Sequence, residues 1–167
     1  MIACVDVDYN QNEEGLAACL VFEQWYSAAA ANSYAAVIAD VAPYEAGAFY
    51  KRELPCVLEV LSYVAETLDF IIVDSYVWLD NQQKKGMGAY LYDSLKQKIP
   101  IIGVAKTEFV GANEIAIPVL RGDSKIPLFV TATGVDTRWA AQQIRQMHGN
   151  FRLPTLLKEV DKLCRSL

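Results

Sequence analysis

The sequence predicts an α/β fold in which a mixed β-sheet is covered by helices on both faces. Near the amino terminus, three apolar segments follow one another with polar residues between them, a pattern typical of an antiparallel meander. Further along, short continuous apolar runs alternate with amphipathic stretches, which indicates strands buried on both faces between helices. The chain has 167 residues, 53% of them hydrophobic, so residues 1–167 are expected to form one domain with its own core.

Seven strands are predicted from short apolar runs that contain many β-branched residues. The first two form a hairpin across the polar turn at 10–14, and the last two form another across the Gly122-Asp123 turn. The alanine-rich stretch 27–32 fits either a helix or a loop. The predicted strands are residues 2–9, 15–25, 34–41, 70–73, 99–105, 118–120 and 128–133.

Four helices are predicted from apolar residues that recur at helical spacing. The first has Pro55 near its first turn and extends to Leu68. The third has Asp136 as its N-cap, and the fourth opens at Pro154. The predicted helices are residues 55–68, 84–98, 136–147 and 153–167. The element order is therefore β-β-β-α-β-α-β-β-β-α-α.

Composition argues against several classes of protein. No apolar run approaches the roughly 20 residues that a membrane helix needs, and the first residues lack the basic segment of a signal peptide. The net charge of −5 argues against a broad basic surface for nucleic acid. The four cysteines are not spaced as metal ligands or as a redox pair, and we expect them to be buried hydrophobes in a reducing cytosol. We therefore expect a cytoplasmic protein without membrane contact, monomeric by default.

Two aspartates interrupt strands that are otherwise apolar. Asp6 stands within the first strand, and Asp74 directly follows the run 70–73. A carboxylate in a central strand is unfavourable unless its charge is compensated. Either acid alone is explained by hydrogen bonds from a neighbouring loop. Two such acids, on strands that the fold can bring side by side, are better explained by a shared hard cation.

Three further charged residues are candidates for the same site. Glu53 precedes the first predicted helix, where a carboxylate also complements the helix N-terminus. Asp161 lies on the apolar stripe of the last helix, four residues after Leu157, so it faces either inward or a solvent-accessible edge. Lys106 follows the strand 99–105, where it would stabilise phosphate charge beside an acid cluster or remain a solvated loop lysine.

Three classes of protein use acids and a lysine in this arrangement. In a two-component receiver they surround a phosphorylated aspartate. In a dehalogenase-like phosphatase a strand ends in Asp-x-Asp, as in Asp6-Val7-Asp8. In a metal nuclease the carboxylates hold an ion that activates water and neutralises the leaving oxygen. Spacing alone does not choose among the three.

The chain resembles the endonuclease V family through five short motifs that occur in the family's order. The motifs are Cys4-Val5-Asp6-Val7, residues 43–53 (PYEAGAFYKRE), residues 70–74 (FIIVD), residues 101–106 (IIGVAK), and Arg152-Leu153-Pro154 with the helix that continues through Asp161. The resemblance implies a ribonuclease H-like fold. It also implies an enzyme that uses Mg²⁺ or Mn²⁺ to incise DNA or RNA one nucleotide beyond inosine on the 3′ side.

The resemblance also implies roles for the charged residues. By motif position, Asp6 and Asp74 would be direct metal ligands, and Glu53 and Asp161 would bind metal-held waters or a second ion. Lys106 would act beside the scissile phosphate.

A second motif implies contacts to the nucleic acid. Tyr44 would be the wedge that stacks in the strand near the damaged base, and Gly47 belongs to the same motif. Lys51 and Arg52 follow closely and are candidates for phosphate contacts or for ordinary surface positions.

The chain differs from the family pattern around the base pocket. Glu45-Ala46 replaces Ile-Pro, Ser75-Tyr76-Val77 replaces Gly-x-Gly, and Asp80 replaces a histidine. The acids themselves match. Inosine specificity therefore stays open, as does a non-catalytic role in nucleic-acid binding or regulation.

Overall fold

The computed structural model describes residues 1–167 and contains one seven-stranded sheet, four α-helices and a short 3-10 helix. The strands are β1 (Ile2–Tyr9), β2 (Gly15–Phe22), β3 (Asn32–Ile38), β4 (Phe70–Val73), β5 (Ile101–Ala105), β6 (Ile117–Val119) and β7 (Leu128–Thr133). The helices are α1 (Tyr50–Ser62), α2 (Met87–Ser94), α3 (Thr137–Gln146) and α4 (Thr155–Arg165), and the 3-10 helix is Val110–Ala112. The predicted order of strands and α-helices is confirmed.

The sheet is mixed, as predicted, and its strand order is β3-β2-β1-β4-β5-β7-β6. β1 pairs antiparallel with β2 and parallel with β4, and β4 pairs parallel with β5. The three parallel strands β1, β4 and β5 therefore end at one edge of the sheet, which we call the carboxyl edge. The predicted hairpin of the last two strands is also confirmed, since β6 and β7 are antiparallel.

Helices cover both faces of the sheet, and each face has its own core. On one face, Cys56 and Val57 of α1 pack in the same cluster as Ala89 and Leu91 of α2. On the other face, α3 and α4 contribute a second cluster that includes Ile144. Successive residues of a strand point to opposite faces, so each central strand contributes alternate side chains to the two cores.

The first helix differs from its prediction at both ends. It begins at Tyr50, so Pro55 lies inside it rather than near its first turn, and Glu53 lies in its first turn rather than before it. Pro55 is exposed, so water can reach the carbonyl that it leaves without a helical N–H partner. The helix ends at Ser62 because the following segment turns back toward β3, where the Tyr34 hydroxyl donates to Glu66 Oε2 at 2.8 Å.

Other boundaries are also corrected. β2 ends at Phe22 instead of residue 25, β3 occupies 32–38 instead of 34–41, and β5 begins at Ile101. The helix predicted at 84–98 covers only 87–94. Its start is displaced because Lys85 pairs with Trp78 in a β-bridge, and its end is capped by Lys98, whose ammonium donates to two carbonyls of the last turn.

Several smaller expectations are also settled by the structure. The undecided stretch 27–32 is a loop that runs into β3. Asp136 is the N-cap of α3 and accepts the Trp139 N–H at 2.9 Å. The four cysteines are buried and unpaired. None of the helices has the length and apolar character that a bilayer crossing requires.

Candidate active site

Asp6, Asp74 and Lys106 converge at the carboxyl edge because of strand register. Val5 of β1 is paired with Val73 of β4, so the next residues, Asp6 and Asp74, are neighbours on adjacent strands. The prediction that these two acids lie on adjacent central strands is confirmed. Cys4, Ile72 and Val104 belong to the core beneath α3 and α4. Asp6, Asp74 and Lys106 each follow one of these residues by two positions in the chain. Alternation therefore directs all three toward that face of the sheet, where α4 lies.

Asp6 is a buried carboxylate with little compensation. It is 9% exposed, and its Oδ1 accepts the N–H of Val7 at 2.9 Å. Burial and the neighbouring charge of Asp74 together raise the pKa of Asp6 to about 7, although Lys106 opposes both. An acid in this state is stabilised by any additional positive charge that reaches it.

Lys106 links acids from two elements. Its ammonium contacts Asp74 Oδ2 directly and lies 3.7 Å from Asp161 Oδ1 of α4. Burial alone would lower the pKa of Lys106, but its contact with Asp74 and the charges of Asp6 and Asp161 raise it above its ordinary value. Arg165, one turn after Asp161, holds the same Asp161 oxygen at 3.0 Å. Asp161 therefore faces the site, which was the inward alternative for this residue.

Glu53 approaches the acids from the opposite face of the sheet. It is 5% exposed, and its Oε2 is buried without a hydrogen-bond partner. Burial, together with the charges of Asp6 and Asp74, raises the pKa of Glu53 to about 8. A buried carboxylate oxygen without a donor is unfavourable, and a cation or a cation-held water would remove that penalty.

The donor set fits a hard divalent cation. A cavity of about 20 Å³ is lined by Asp6, Asp74 and Lys106 together with seven apolar residues, and a space of this size holds about one water-sized body. Carboxylate oxygens are the ligands that Mg²⁺ and Mn²⁺ prefer. In the side-chain arrangement of this structure, no three acids, histidines or cysteines surround a common point. Lys106 contacts both Asp74 and Asp161, so it supplies positive charge to these acids here.

The residues predicted to contact nucleic acid lie in the loop before α1 and in its first turn. Tyr44 is 68% exposed, which leaves its ring free to stack. Gly47 has a φ of +79° and lines a cavity with Glu53, so it lies beside the acids. Lys51 pairs with Glu45 at 2.9 Å, and the Arg52 guanidinium lies 4.0 Å from the centroid of the Tyr9 ring. The last two cations therefore have intramolecular partners in this structure.

Two residues that the sequence argument left without a role hold the loop of Lys106. Arg152 donates to the carbonyl of Lys106 and, at 2.9 Å, to that of Pro127. The Tyr76 hydroxyl donates to the Thr107 carbonyl at 2.9 Å and accepts the N–H of Phe109 at 3.1 Å. Arg152 stood in a matched motif, which was a usable signal. The contacts of Tyr76 depend on a loop conformation that the sequence does not display.

The mixed sheet in the order β3-β2-β1-β4-β5, with acids at the ends of β1 and β4, is the ribonuclease H-like arrangement of an α/β protein. The family model described as Endonuclease V matches residues 1–148. The chain therefore belongs to the endonuclease V family, whose enzymes are metal-dependent nucleases. The resemblance to this family and the fold class, both predicted from the sequence, are confirmed.

Individual relatives agree with this assignment. An endonuclease V of Nocardia farcinica is 27% identical over an alignment of 142 positions that covers 74% of this chain and 62% of that protein. The crystal structure of endonuclease V from Streptomyces avermitilis is 26% identical, with a TM-score of 0.77 over 99% of this chain and 79% of the other. A Ciona intestinalis endonuclease V in complex with inosine-containing DNA has the same fold, with a TM-score of 0.82 at 17% identity, over 99% of this chain and 83% of the other.

The fold also removes two alternatives. A receiver domain has an open, parallel sheet, but here β1 is antiparallel to β2. The dehalogenase-like phosphatase loses its support because the whole sheet, including the strand with Asp6 and Asp8, matches endonuclease V structures. The chain spans 62% of the Nocardia relative's length.

Proposed function

We propose that this chain is a metal-dependent endonuclease that hydrolyses a phosphodiester bond in DNA or RNA. The observation that carries the proposal is the convergence of Asp6 and Asp74 from adjacent parallel strands with Lys106 between Asp74 and Asp161. In the same proposal, residues 1–167 act as one domain, as a monomer, in the cytoplasm.

The metal is proposed to be Mg²⁺, with Mn²⁺ as a substitute. Asp6 and Asp74 would hold it directly, and Glu53 and Asp161 would bind its waters or a second ion. The unpartnered Glu53 Oε2 and the raised pKa of Asp6 support this assignment. When bound, such an ion lowers the pKa of a bound water and neutralises charge on the leaving oxygen.

The protein's own groups have separate tasks in this mechanism. Lys106 would contact a non-bridging phosphate oxygen and stabilise the charge that develops there, since its ammonium already faces the acids. The buried environment of Asp6 strengthens these electrostatic effects because little water screens them. Asp161 would hold Lys106 and the bound waters in place.

Substrate contacts are proposed for Tyr44, Gly47, Lys51 and Arg52. Tyr44 would stack in the strand as a wedge, which its exposure supports. Gly47 would let the nucleic-acid strand approach the protein backbone, because glycine has no side chain. Lys51 and Arg52 would exchange their present partners for phosphate.

Inosine is the proposed recognised base, in DNA or RNA. The support is family membership and the Ciona relative, whose complex contains a 23mer DNA with an inosine followed by a ribo-adenosine. A second candidate is a binding or regulatory member without catalysis. It is favoured by Ser75 and Val77 in place of the family's glycines and by the net charge of −5.

The test is strand cleavage with Mn²⁺ and then with Mg²⁺. End-labelled DNA and RNA strands with one inosine are compared with strands that carry guanosine at that position. We expect a cut one nucleotide beyond inosine on the 3′ side, abolished by a chelator. Equal cleavage of the strands that carry guanosine would contradict the proposed inosine specificity but not the proposed nuclease activity. Binding without any cutting would favour the non-catalytic candidate.

A further inference from the structure

Three cavities lie in a row along the carboxyl edge, because neighbouring cavities share a wall residue. The central cavity of about 20 Å³ is lined by Asp6, Asp74 and Lys106 and by seven apolar residues. Asp74 also lines a cavity of about 300 Å³ together with Gly47 and Glu53, which we call the glycine-side cavity. Lys106 also lines a groove of about 690 Å³ on its other side, which we call the lysine-side groove. The acids therefore lie between two larger spaces.

The walls of the lysine-side groove come from three loops. They are the loop after β5, the segment before β6, and the turn that leads into β7, with Arg152 joining the first and third. Arg152 donates at 3.1 Å to the Ile126 carbonyl and at 2.9 Å to the Pro127 carbonyl, besides that of Lys106. These bonds fix the relative positions of the loops, so the groove is a preformed feature of the fold.

Charge in the groove is opposite to that of the whole chain. The chain has a net charge of −5, whereas the charged side chains that line the groove are Lys106, Lys125 and Arg152, with Glu108 as the one acid. A net positive groove on an acidic protein favours a negatively charged ligand there over other parts of the surface. Because Lys106 belongs to both spaces, that ligand is continuous with whatever occupies the central cavity.

Lys125 is the cation of the groove that is free to bind. It is exposed and forms no ion pair, whereas Lys106 contacts Asp74 and Arg152 is engaged with carbonyl groups. Phe129 and the exposed Ile126 add apolar surface to the same walls. Sites that bind single-stranded nucleic acid combine cations, which contact the phosphates, with apolar and aromatic side chains, which pack on the bases.

We propose that the lysine-side groove binds the substrate strand on the side of the scissile phosphate opposite to the glycine-side cavity, with Lys125 on a backbone phosphate. The inference rests on the proposed nuclease function and adds a second strand-binding site to it. The strand runs from the glycine-side cavity past Asp74 and Lys106 into the groove. Contacts on both sides of the reacting phosphate hold it in register with the acids.

The experiment compares Lys125→Ala with Lys96→Ala. Lys96 is also exposed and forms no ion pair, but it precedes β5 and so lies at the opposite edge of the sheet. Both variants lose one positive charge from the surface, so net charge and long-range attraction change equally. KM and kcat are measured with Mn²⁺ on inosine-containing DNA and RNA strands, at several salt concentrations, and on strands shortened stepwise from either end.

We expect Lys125→Ala to raise KM about three- to tenfold with kcat unchanged, and to reduce the slope of log KM against log salt by about 1. Lys96→Ala should have little effect on either quantity. Shortening the strand from one end should raise KM of the wild type, and the same shortening should add little in Lys125→Ala. Equal behaviour of the two variants, or equal costs of shortening, would overturn the inference.

A binding measurement separates this inference from the proposed function. Fluorescence anisotropy of the same labelled strands, with Ca²⁺ in place of Mn²⁺, reports the affinity without cleavage. If the wild type binds the strands but does not cut them, the proposed nuclease function is wrong. The role of the lysine-side groove is still tested by the ratio of the affinities of the two variants. If the wild type cuts and Lys125→Ala matches Lys96→Ala, only the groove assignment fails.

Discussion

The strand-end acids and the loops around them differ in how the chain holds them. Asp6 and Asp74 are fixed by the register of two paired strands, one of which is buried on both faces. The loop before α1 has no such support: Tyr44 is exposed, and Gly47 has no other atom within 4 Å of the position that a Cβ would take. The acid site therefore depends on the fold itself, whereas the loop can change without disturbing the fold.

The segment after Asp74 differs from the acid site in another way. Ser75 and Val77 replace the family's glycines, and they lie so close to β5 that a side chain at Gly103 would collide with both. Val77 N–H also donates to Thr131 Oγ1 at 2.8 Å. The segment is well packed but shaped differently from the family pattern. The acids thus follow the family pattern, whereas the segment beside them does not.

A large effect on cleavage is expected from Asp74→Asn. The variant keeps the shape of the side chain but removes a proposed metal ligand, and we expect the single-turnover cleavage rate with Mn²⁺ to fall by about 10³-fold. It should also abolish the rise in melting temperature that Mg²⁺ causes in the wild type, about 5 °C at saturating ion. Asp40→Asn, at an exposed position outside the site, is the control. A wild type without any metal-dependent shift at millimolar ion would contradict the metal site.

Metal stabilisation is expected to depend on pH. Burial, together with the charges of nearby acids, raises the pKa of Asp6 to about 7 and that of Glu53 to about 8. In the unfolded chain both carboxyls titrate near their ordinary values of about 4. These two groups therefore stabilise the metal-free protein fully below about pH 4, and that contribution is lost as pH rises toward 8.

A bound cation replaces the protons on these carboxyls, so metal binding becomes more favourable as pH rises. The metal-induced rise in melting temperature should therefore be larger at pH 8 than at pH 6. Glu53→Gln removes one of the two titrating groups, so its metal-free melting temperature should fall less between these pH values than that of the wild type. A metal effect that is constant from pH 6 to 8 would contradict the assignment of these acids.

The smallest effect, and the sharpest test of where the two regions meet, is Tyr76→Phe. The variant removes only the hydroxyl that links the segment after Asp74 to Thr107 and Phe109, in the loop that follows β5 and begins with Lys106. The loss of about 1 kcal/mol in hydrogen bonding should lower kcat about fivefold with KM unchanged. Tyr63→Phe removes a comparable hydroxyl contact to Glu59 at the end of α1 and should leave kcat unchanged. Equal kcat in the two variants would show that the Tyr76 link does not position Lys106.

Much of the fold followed from the sequence because its central strands are short, apolar and clearly bounded. Asp6 and Asp74 were found because a charge in such a strand is unusual. The start of α1 was misplaced because Pro55 is typical of a helix beginning, yet this proline lies on an exposed face where the helix tolerates it. The contacts of Arg152 and Tyr76 with the loop after β5 join segments distant in sequence, so a matched motif could single out Arg152 but could not give its partners.

The most direct measurement compares Asp6→Asn with Asp8→Asn in metal-dependent strand cleavage. Both aspartates lie on β1 with one residue between them, so they point to the same face. Only Asp6 directly follows Val5, the residue that pairs with Val73 at the end of β4. Asp6→Asn should eliminate cleavage, whereas Asp8→Asn should retain a substantial fraction of it. If both variants lose activity equally, and the wild type releases phosphate from a small phosphomonoester while leaving strands intact, the nuclease account is contradicted.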